Sequence, residues 1–292
     1  MLYMRKLRES EPDGPLVVIK RKADSPYIHT AQPHYNARVI HADMTSMTLL
    51  DSLSLEHVQR IMLLTGDDHV NLDNAARVIQ VAPHLAGHVV VHVSDLRLLR
   101  VIEQRKLMVG VKLFNTYRTA AQHLVKTFLV PHFEMTESQD TVVLAGFGRF
   151  GQPVLHELPT HANALFERAD IVDLRAHTLV SMFSEQIGFD RSYDYQYLSE
   201  DINEPRTWQH FVEDSPKPDS HMVYVVGAGE DSINIRTALW LTDRAPESLV
   251  VARCFRRSNF TTEISHECNF HAASTAELLL EWLDLNGYFE EP

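Results

Sequence analysis

Residues 141–151 read Thr-Val-Val-Leu-Ala-Gly-Phe-Gly-Arg-Phe-Gly, an apolar run that passes directly into a glycine-rich turn. The apolar part predicts a buried strand, and residues 152–158 predict the start of a helix. A strand, a G-x-G-x-x-G turn and a helix form the corner that holds a pyrophosphate in dinucleotide-binding folds. The helix N-terminus there offers free N–H groups to the anion. The alternative is a glycine turn in another kind of α/β unit.

An acidic residue follows the glycine turn at the distance that a dinucleotide site requires. Residues 171–172 predict a second strand that ends in Asp173, 22 positions after Gly151 (173 − 151 = 22). An acid at this strand end binds the ribose hydroxyls of a dinucleotide and favours an unphosphorylated ribose. Arg175 keeps a preference for a 2′-phosphate open.

The composition is that of an ordinary globular protein and argues against several classes of partner. The 292 residues allow about two domains. A net charge of −12 argues against a nucleic-acid partner, because phosphate binding needs a basic face. Two cysteines cannot form a disulfide framework, which favours a reducing compartment. No apolar run approaches the roughly 20 residues that span a bilayer, and residues 1–8 show no signal peptide. We therefore expect a cytoplasmic protein.

The chain contains an internal duplication. Residues 61–72 in the first half match residues 223–235 in the second, and their glycine, aspartate and asparagine align at one constant offset, 234 − 71 = 163. The helices predicted after each segment both end at Ala-Pro, residues 82–83 and 245–246, again 163 positions apart. The agreement in spacing and in the Ala-Pro pairs that end the helices indicates two copies of one unit.

The copies also agree upstream, and their pattern predicts the fold. Residues 37–43 and 195–201 each read as a strand that ends in an acid and precedes an amphipathic helix. Residues 16–19 correspond to residues 171–172 at an offset near 154. Short apolar runs that alternate with helical patterns indicate parallel sheets with crossover helices. The sequence therefore predicts an α/β protein with two tandem Rossmann-like, doubly wound parallel-sheet domains.

The first copy is predicted to be incomplete. Its glycine loop would lie before Met1, since 146 − 154 = −8, so the first domain should lack its N-terminal strand and glycine loop. Residues 2–10 are then the tail of its first crossover helix. Because a sheet without its central strand loses much buried area, we expect the chain to be a portion of a longer one, with a remnant copy as the alternative.

The predicted domain boundaries follow from the helix between the copies. Asn115 is a plausible N-cap for a helix over residues 116–130, and Pro131 is expected to end it. The first domain would then cover residues 1–131, a polar linker residues 132–140, and the second domain residues 141–292.

These motifs together resemble the regulator-of-K⁺-conductance (RCK) domain, also called the Trk-type N-terminal (TrkA-N) domain. The resemblance covers most of residues 15–285. It is carried by the glycine turn, by Asp173, by the segment at Asp201, and by Thr-Gly-Asp-Asp-x-x-Asn at residues 65–71 with its partner at 229–234. It implies a cytosolic Rossmann-like module that gates a potassium channel or transporter, binds NAD, NADH or an adenine nucleotide, and assembles as a homo-oligomer.

The chain departs from that family in its first copy. Lys20-Arg21-Lys22 stand where the ribose-binding acid belongs, so NAD is expected to bind in the second domain only. The second copy has about twenty additional residues, 174–194, between its second and third strands, and no C-terminal ligand-binding subdomain is expected.

The candidate site is expected at the carboxyl ends of four strands in the second copy. The N–H groups of the glycine turn would hold the pyrophosphate, and Asp201 would lie near the adenine or cap a helix. Asp231 and Asn234 are expected to cap and pack rather than to bind. The predicted cofactor-binding residues are Gly146, Phe147, Gly148, Arg149, Phe150, Gly151, Asp173, Leu174, Arg175, Asp201, Gly227, Ala228 and Gly229.

No catalytic or metal centre is predicted. The densest cluster, His-Glu-Cys-x-x-His at residues 266–271, should form a strand with its entry loop, where alternate side chains point apart. A dehydrogenase would need a proton donor from a substrate domain, which this chain lacks. We therefore expect a nucleotide-binding module that controls potassium or other monovalent-cation transport through an attached or separate pore. The alternatives are an NAD-dependent oxidoreductase and a degenerate Rossmann assembly subunit.

Overall fold

The computed structural model describes residues 2–21, 28–136, 140–212 and 221–288, in which strands and helices alternate along the chain. It forms two compact units. The first contains the residues up to Thr116 with the C-terminal segment from Leu280, and the second contains Tyr117–Leu279. Every strand pair in both units is parallel. The prediction of two Rossmann-like parallel-sheet units is confirmed.

The first unit has two separate small sheets. One pairs β1 (Leu16–Lys20) with β2 (Ala37–His41), and the other has the order β3 (Ile61–Leu63), β4 (Val89–His92), β5 (Val111–Phe114). Within the described residues no strand joins β1 to β3. The helices are α1 (Leu2–Ser10), α2 (Ile28–Tyr35), α3 (Met47–Ser52), α4 (Asp68–Val81) and α5 (Leu96–Gln104), with 3₁₀ turns at Leu55–His57 and Pro83–Leu85.

The second unit has one continuous six-stranded sheet. Its strands are β6 (Asp140–Ala145), β7 (Phe166–Val172), β8 (Asp194–Leu198), β9 (Met222–Val226), β10 (Leu249–Cys254) and β11 (His271–Ser274). Their spatial order is β11-β10-β9-β6-β7-β8. The helices that follow the strands are α8 (Gly151–His161), α9 (Ala176–Gln186), α10 (Pro205–Val212), α11 (Asp231–Arg244), α12 (Asn259–Glu267) and α13 (Thr275–Leu285), of which the part from Leu280 belongs to the first unit. Helix α9 lies between β7 and β8 as α2 lies between β1 and β2, and the two connections have 21 and 16 residues (193 − 172 = 21 and 36 − 20 = 16). The prediction of about twenty additional residues at 174–194 is therefore wrong, because these residues form the ordinary crossover helix.

Strand β6 is the centre of this sheet because both of its faces are covered. All six of its residues are buried. Val142 and Leu144 pack into the apolar cluster on one face, while Val143 and Ala145 pack into the cluster on the other. A strand that is buried on both faces needs a nearly continuous apolar sequence, which explains why residues 141–145 show no polar alternation.

The helix between the copies extends further than predicted. It begins as α6 (Thr116–Leu124), widens into a π-helical segment (Val125–Leu129) and continues as α7 (Val130–Phe133). The prediction that Pro131 ends this helix is wrong. Pro131 lies in the first turn of α7, where its missing N–H removes no bond of that turn. Of the predicted linker, residues 137–139 lie outside the described part of the chain.

A buried asparagine ties neighbouring strand ends together in the second unit. The Asn234 side-chain oxygen accepts from the Ala228 N–H at 2.8 Å. Its amide nitrogen donates to the Ala228 oxygen at 3.2 Å and to the Arg253 oxygen at 2.9 Å. The loop after β9 is thereby fixed to β10. Asn234 therefore has the packing role that its position in the repeat predicts.

The same arrangement of asparagine hydrogen bonds recurs in the first unit. The Asn71 side-chain oxygen accepts from the Thr65 N–H at 3.0 Å, and its amide nitrogen donates to the oxygens of Thr65 and His92, both at 3.0 Å. Asp68 accepts from the N–H groups of Ser94 and Asp95 at 2.8 and 2.9 Å, much as Asp231 accepts from Phe255 N–H at 2.7 Å. The repeated Asp-x-x-Asn pattern is thus a structural clamp in both units.

A group of ionisable side chains lies at the opposite, amino-terminal edge of the second sheet. Asp140 is fully buried, and one of its oxygens accepts from the Thr136 hydroxyl at 2.6 Å. Its other oxygen and His132 Nε2 are buried without a hydrogen-bond partner in the described part of the chain. Burial raises the pKa of Asp140 and lowers the pKa of His132, while the charges of Asp140 and His221 act on His132 in opposite directions.

Replacing Asn234 by alanine should destabilise the second unit. The change leaves the Ala228 and Arg253 backbone groups without their buried partner, which costs about 1–3 kcal/mol. Urea denaturation of the wild type, Asn234→Ala and the exposed control Glu263→Ala measures the free energy of unfolding. The control should match the wild type within about 0.5 kcal/mol. An equal decrease in the free energy of unfolding in both variants would contradict the stabilising role of Asn234.

The pH dependence of the free energy of unfolding should reveal the protonation of His132. A histidine whose folded-state pKa is lowered contributes stability above its unfolded value of about 6.5 and loses it as pH falls through the folded value. The wild type should therefore lose stability relative to His132→Gln as the pH falls below about 6.5. Because Asp140 is present in both proteins, the difference between their unfolding curves isolates the histidine. A difference that does not change with pH would contradict this account.

Candidate functional site

The glycine turn forms the predicted corner between β6 and α8. The Gly146 N–H donates to the Val172 oxygen and the Gly227 N–H donates to the Ala145 oxygen, both at 2.8 Å. Gly146 has φ +96°, and a Cβ there would lie 2.8 Å from the Ala228 nitrogen. Only glycine can combine this backbone conformation with this close approach. The end of β6 is therefore held against the ends of both neighbouring strands.

The middle of the turn is open. A Cβ on Gly148 would meet no atom within 4 Å. In the described part of the chain, the N–H groups of Gly148, Arg149 and Phe150 donate to no protein acceptor. These groups precede the first turn of α8, where the helix dipole favours an anion. A Cβ on Gly151, by contrast, would overlap the Gly146 oxygen, so the third glycine allows α8 to begin close to the strand.

The two phenylalanines of the turn point into the protein. Phe147 is fully buried, and its ring lies 5.3 Å from the ring of Phe183. Phe150 is 2% exposed, and its ring packs on Gly227, where a Cβ would come within 2.7 Å of a ring carbon. These side chains therefore anchor the turn, and only their backbone groups could face a ligand.

Asp173 lies beside the turn, as the sequence predicts. Its Oδ2 accepts from the Phe147 N–H at 2.9 Å, and its Oδ1 accepts from the Arg175 N–H at 2.8 Å. An ionised carboxylate has about four acceptor positions, so each oxygen can accept a further bond from a ribose hydroxyl. Leu174 and Arg175 are exposed beyond it, on the outer side of the same strand end.

Asp201 is engaged in a local turn instead. Its Oδ1 accepts from both the N–H and the side-chain amide of Asn203, each at 2.9 Å, two residues before α10. The Asn203 N–H lowers the pKa of Asp201. Asp43 in the first unit makes the same turn with Thr45, at 2.9 and 2.7 Å. The Asp201 carboxylate thus bonds within the turn before α10, and these bonds are not to an N–H of the helix.

The segment Gly227–Gly229 is fixed by an arginine that sequence reasoning missed. Arg253 is almost fully buried and donates to the Ala228 oxygen at 2.7 Å and to the Gly229 oxygen at 3.2 Å. It also lies 3.5 Å from the Asp231 carboxylate. The available signal was its position, since it is the one charged residue in the apolar run Leu249–Cys254. Gly229 keeps open space at its Cα.

The histidine cluster at residues 266–271 differs from its prediction. Its first two residues end helix α12, Cys268 caps that helix, and His271 begins β11. The expected strand with its entry loop therefore begins only after the helix. Across the residues that the structure describes, no three His, Cys, Asp or Glu side chains are arranged to hold a metal ion.

A known family model matches the first unit. Residues 2–110 match the model of the TrkA-N domain. Residues 2–110 thus form a TrkA-N-type domain. This match lies within the first unit. The match to a family of regulatory modules agrees with the expectation that the chain is not an enzyme. No curated protein sequence matches the chain.

Structures of the GsuK channel share the fold of this chain. The GsuK RCK domain superposes with a TM-score of 0.60 at 13% identity, covering 99% of this chain and 75% of that one. GsuK bound to ADP gives a TM-score of 0.63 at 14% identity, over 99% and 66% of the two chains. The GsuK channel bound to NAD gives 0.64 at 11%, over 99% and 61%. The chain thus spans about two thirds of the GsuK length. No helix in the described ranges is both long and apolar enough to cross a bilayer.

Two alanine substitutions should separate the rigid and the open parts of the turn. Gly146→Ala places a Cβ in a left-handed conformation against the Ala228 nitrogen, which should cost at least about 1 kcal/mol. Gly148→Ala enters open space and should change the free energy of unfolding by less than about 0.5 kcal/mol. Thermal or urea denaturation measures both. Equal destabilisation would show that the middle of the turn is packed, against the geometry described here.

Proposed function

We propose that the chain is a regulatory module in which a nucleotide binds to the second unit. The observation that carries this proposal is the set of free N–H groups at Gly148, Arg149 and Phe150 beside the carboxylate of Asp173. Preorganised donors at a helix N-terminus suit a pyrophosphate, and an acid at the neighbouring strand end suits a ribose. The two features lie at the crevice where the strand order reverses, between β6, β7 and β9.

The ligand class that fits is NAD, NADH or an adenine nucleotide. Structures of GsuK bound to ADP and of the GsuK channel bound to NAD are known, which supports this class for a protein of the same fold. In the first unit, Lys20 ends β1 where β7 has its acid, and Arg21 lies 3.7 Å from Asp43. A cation in that place cannot accept from ribose hydroxyls, so we assign the nucleotide to the second unit only.

The regulated process that we propose is potassium or other monovalent-cation transport. The TrkA-N match and the GsuK fold support a channel or transporter membrane subunit as the partner, in the same chain or a separate one, with homo-oligomeric assembly at the cytoplasmic face of the membrane. A nucleotide can regulate such a partner only if it binds one arrangement of the module more tightly than another. The corner at Gly146 provides a physical link, because it joins the binding turn to the ends of β7 and β9.

Nucleotide binding should depend on the glycine turn and on Asp173. With a ligand at 100 times its Kd, the free energy of unfolding should rise by about 2.7 kcal/mol. Thermal shifts and calorimetric titration with NAD, NADH, ADP and ATP measure this. Gly148→Val should abolish binding, because its side chain occupies the space of the phosphates, and Asp173→Ala should weaken it.

The matched control is Gly66→Val, which also enters open space but lies in the first unit. It should bind as the wild type does. Binding of none of the four nucleotides would favour the assembly-subunit alternative. Oxidation or reduction of the nicotinamide by a candidate substrate, followed by absorbance, would instead favour the oxidoreductase.

A further inference from the structure

We propose that two copies of this chain associate through the outer edge of β8, which pairs antiparallel with the same strand of the second copy. Among the described residues β8 pairs only with β7, so its other side is a sheet edge. All of its residues except the last are exposed. The unpaired N–H and C=O groups of such an edge are a template for pairing with another chain. This inference names a surface for the homo-oligomeric assembly proposed above, and it rests on that assembly but not on the nucleotide.

Two exposed tyrosines distinguish this edge from its counterpart in the first unit. Tyr195 and Tyr197 are 43% and 41% exposed, and they lie on the same face because alternate residues of a strand do so. The Tyr195 ring stacks on the Phe189 ring, with 3.7 Å between the ring centroids. The corresponding residues of β2 are Ala37 and Val39, so the fold itself does not require aromatic side chains here. Exposed tyrosines are instead typical of protein interfaces.

The backbone of β8 offers hydrogen bonds at the same two tyrosines. The Asp173 N–H donates to the Leu198 oxygen at 3.2 Å, so the peptide groups of Leu198 face β7. Consecutive residues of a strand bond to opposite sides, and the N–H and C=O groups of Tyr195 and Tyr197 therefore face the open edge. In an antiparallel hydrogen-bonded pair the two residues exchange both bonds. Tyr195 of one copy and Tyr197 of the other can thus exchange both bonds, and the twofold symmetry repeats the exchange.

The sequence around Gln196 suits the twofold axis that pairing of a surface with its own copy requires. An axis at this residue places Gln196 opposite its counterpart, Tyr195 opposite Tyr197, and Asp194 opposite Leu198. Directly opposite residues of an antiparallel pair lie on one face, where aromatic pairs stabilise the strands. The tyrosine rings of both copies would therefore form one row along the joined edges.

The charges at and around β8 favour this register. With the axis at that glutamine, Arg191 comes level with Asp201 of the second copy. A shift of two residues in one direction brings Asp194 level with Glu200, and the same shift in the other direction brings Asp190 level with Glu200. Like charges that face each other destabilise a strand pair, whereas opposite charges stabilise it. This complementarity of the edge with itself identifies a second copy of the chain as its occupant.

The oligomeric state of the full chain tests the surface. Sedimentation at several concentrations should show that the wild type associates. Tyr197→Pro removes an outward-facing N–H from each copy without removing a bond to β7, and it should raise the Kd of association by at least about tenfold. Tyr197→Phe keeps the N–H and the ring and should associate as the wild type does. A monomeric wild type would overturn this proposal together with the assembly, whereas unchanged association of Tyr197→Pro would overturn the surface alone.

A disulfide across the twofold axis tests the register independently. Gln196 faces its counterpart in a non-hydrogen-bonded pair, where the Cα atoms are about 4.5 Å apart, within the range of a disulfide. In a Cys268→Ser background, which removes the less buried native thiol, Gln196→Cys should form a reducible covalent dimer under mild oxidation. The control Asp194→Cys places its thiols on the same face but about 13 Å apart along the strands, and it should not crosslink. Equal crosslinking of both variants, or none of Gln196→Cys, would overturn the proposal.

Discussion

The close contact between Gly146 and the Gly227–Ala228 peptide is the constraint on which the second unit depends. It holds the carboxyl end of β6 between those of β7 and β9, at the point where the order of the strands reverses. A crevice opens at such a point because the chain leaves in opposite directions on its two sides. The glycine turn, Asp173 and the loop after β9 meet there because the backbones approach too closely for any side chain at Gly146.

The duplication separates structural chemistry from binding chemistry. Both units keep the buried asparagine, Asn71 or Asn234, and the short turn at Asp43 or Asp201, although their surroundings differ. These side chains satisfy backbone groups that would otherwise be buried without partners, which any sheet of this kind requires. The glycine turn with its free N–H groups and the ribose-type acid lie in the second unit. The side chains that the two copies share therefore stabilise the fold. The glycine turn and Asp173, in which the second copy differs, support the nucleotide site.

The two units differ in the side chain at the strand end to which the buried asparagine donates. Arg253 holds the loop after β9 in the second unit, and the corresponding strand end in the first unit carries His92, whose Nε2 lies 3.0 Å from the Thr116 hydroxyl. Burial lowers the pKa of His92. The second loop is therefore held by a permanent charge, whereas its counterpart is held without one. The loop held by the arginine is the one next to the candidate site.

Local patterns determined the parallel α/β fold, the duplication, the β6 corner and the position of Asp173, because strand runs, glycine spacing and an acid at a strand end act over a few residues. Local patterns could not determine which groups donate to the Asp201 carboxylate, since helix capping and ligand binding both require a carboxylate at this position. The continuation of the helix through Pro131 and the role of Arg253 were likewise decided only by the tertiary structure. Pro131 is accommodated by a change from α-helical to π-helical hydrogen bonding, and Arg253 bonds to residues that are distant in the sequence. Neither feature can be predicted from the neighbouring residues.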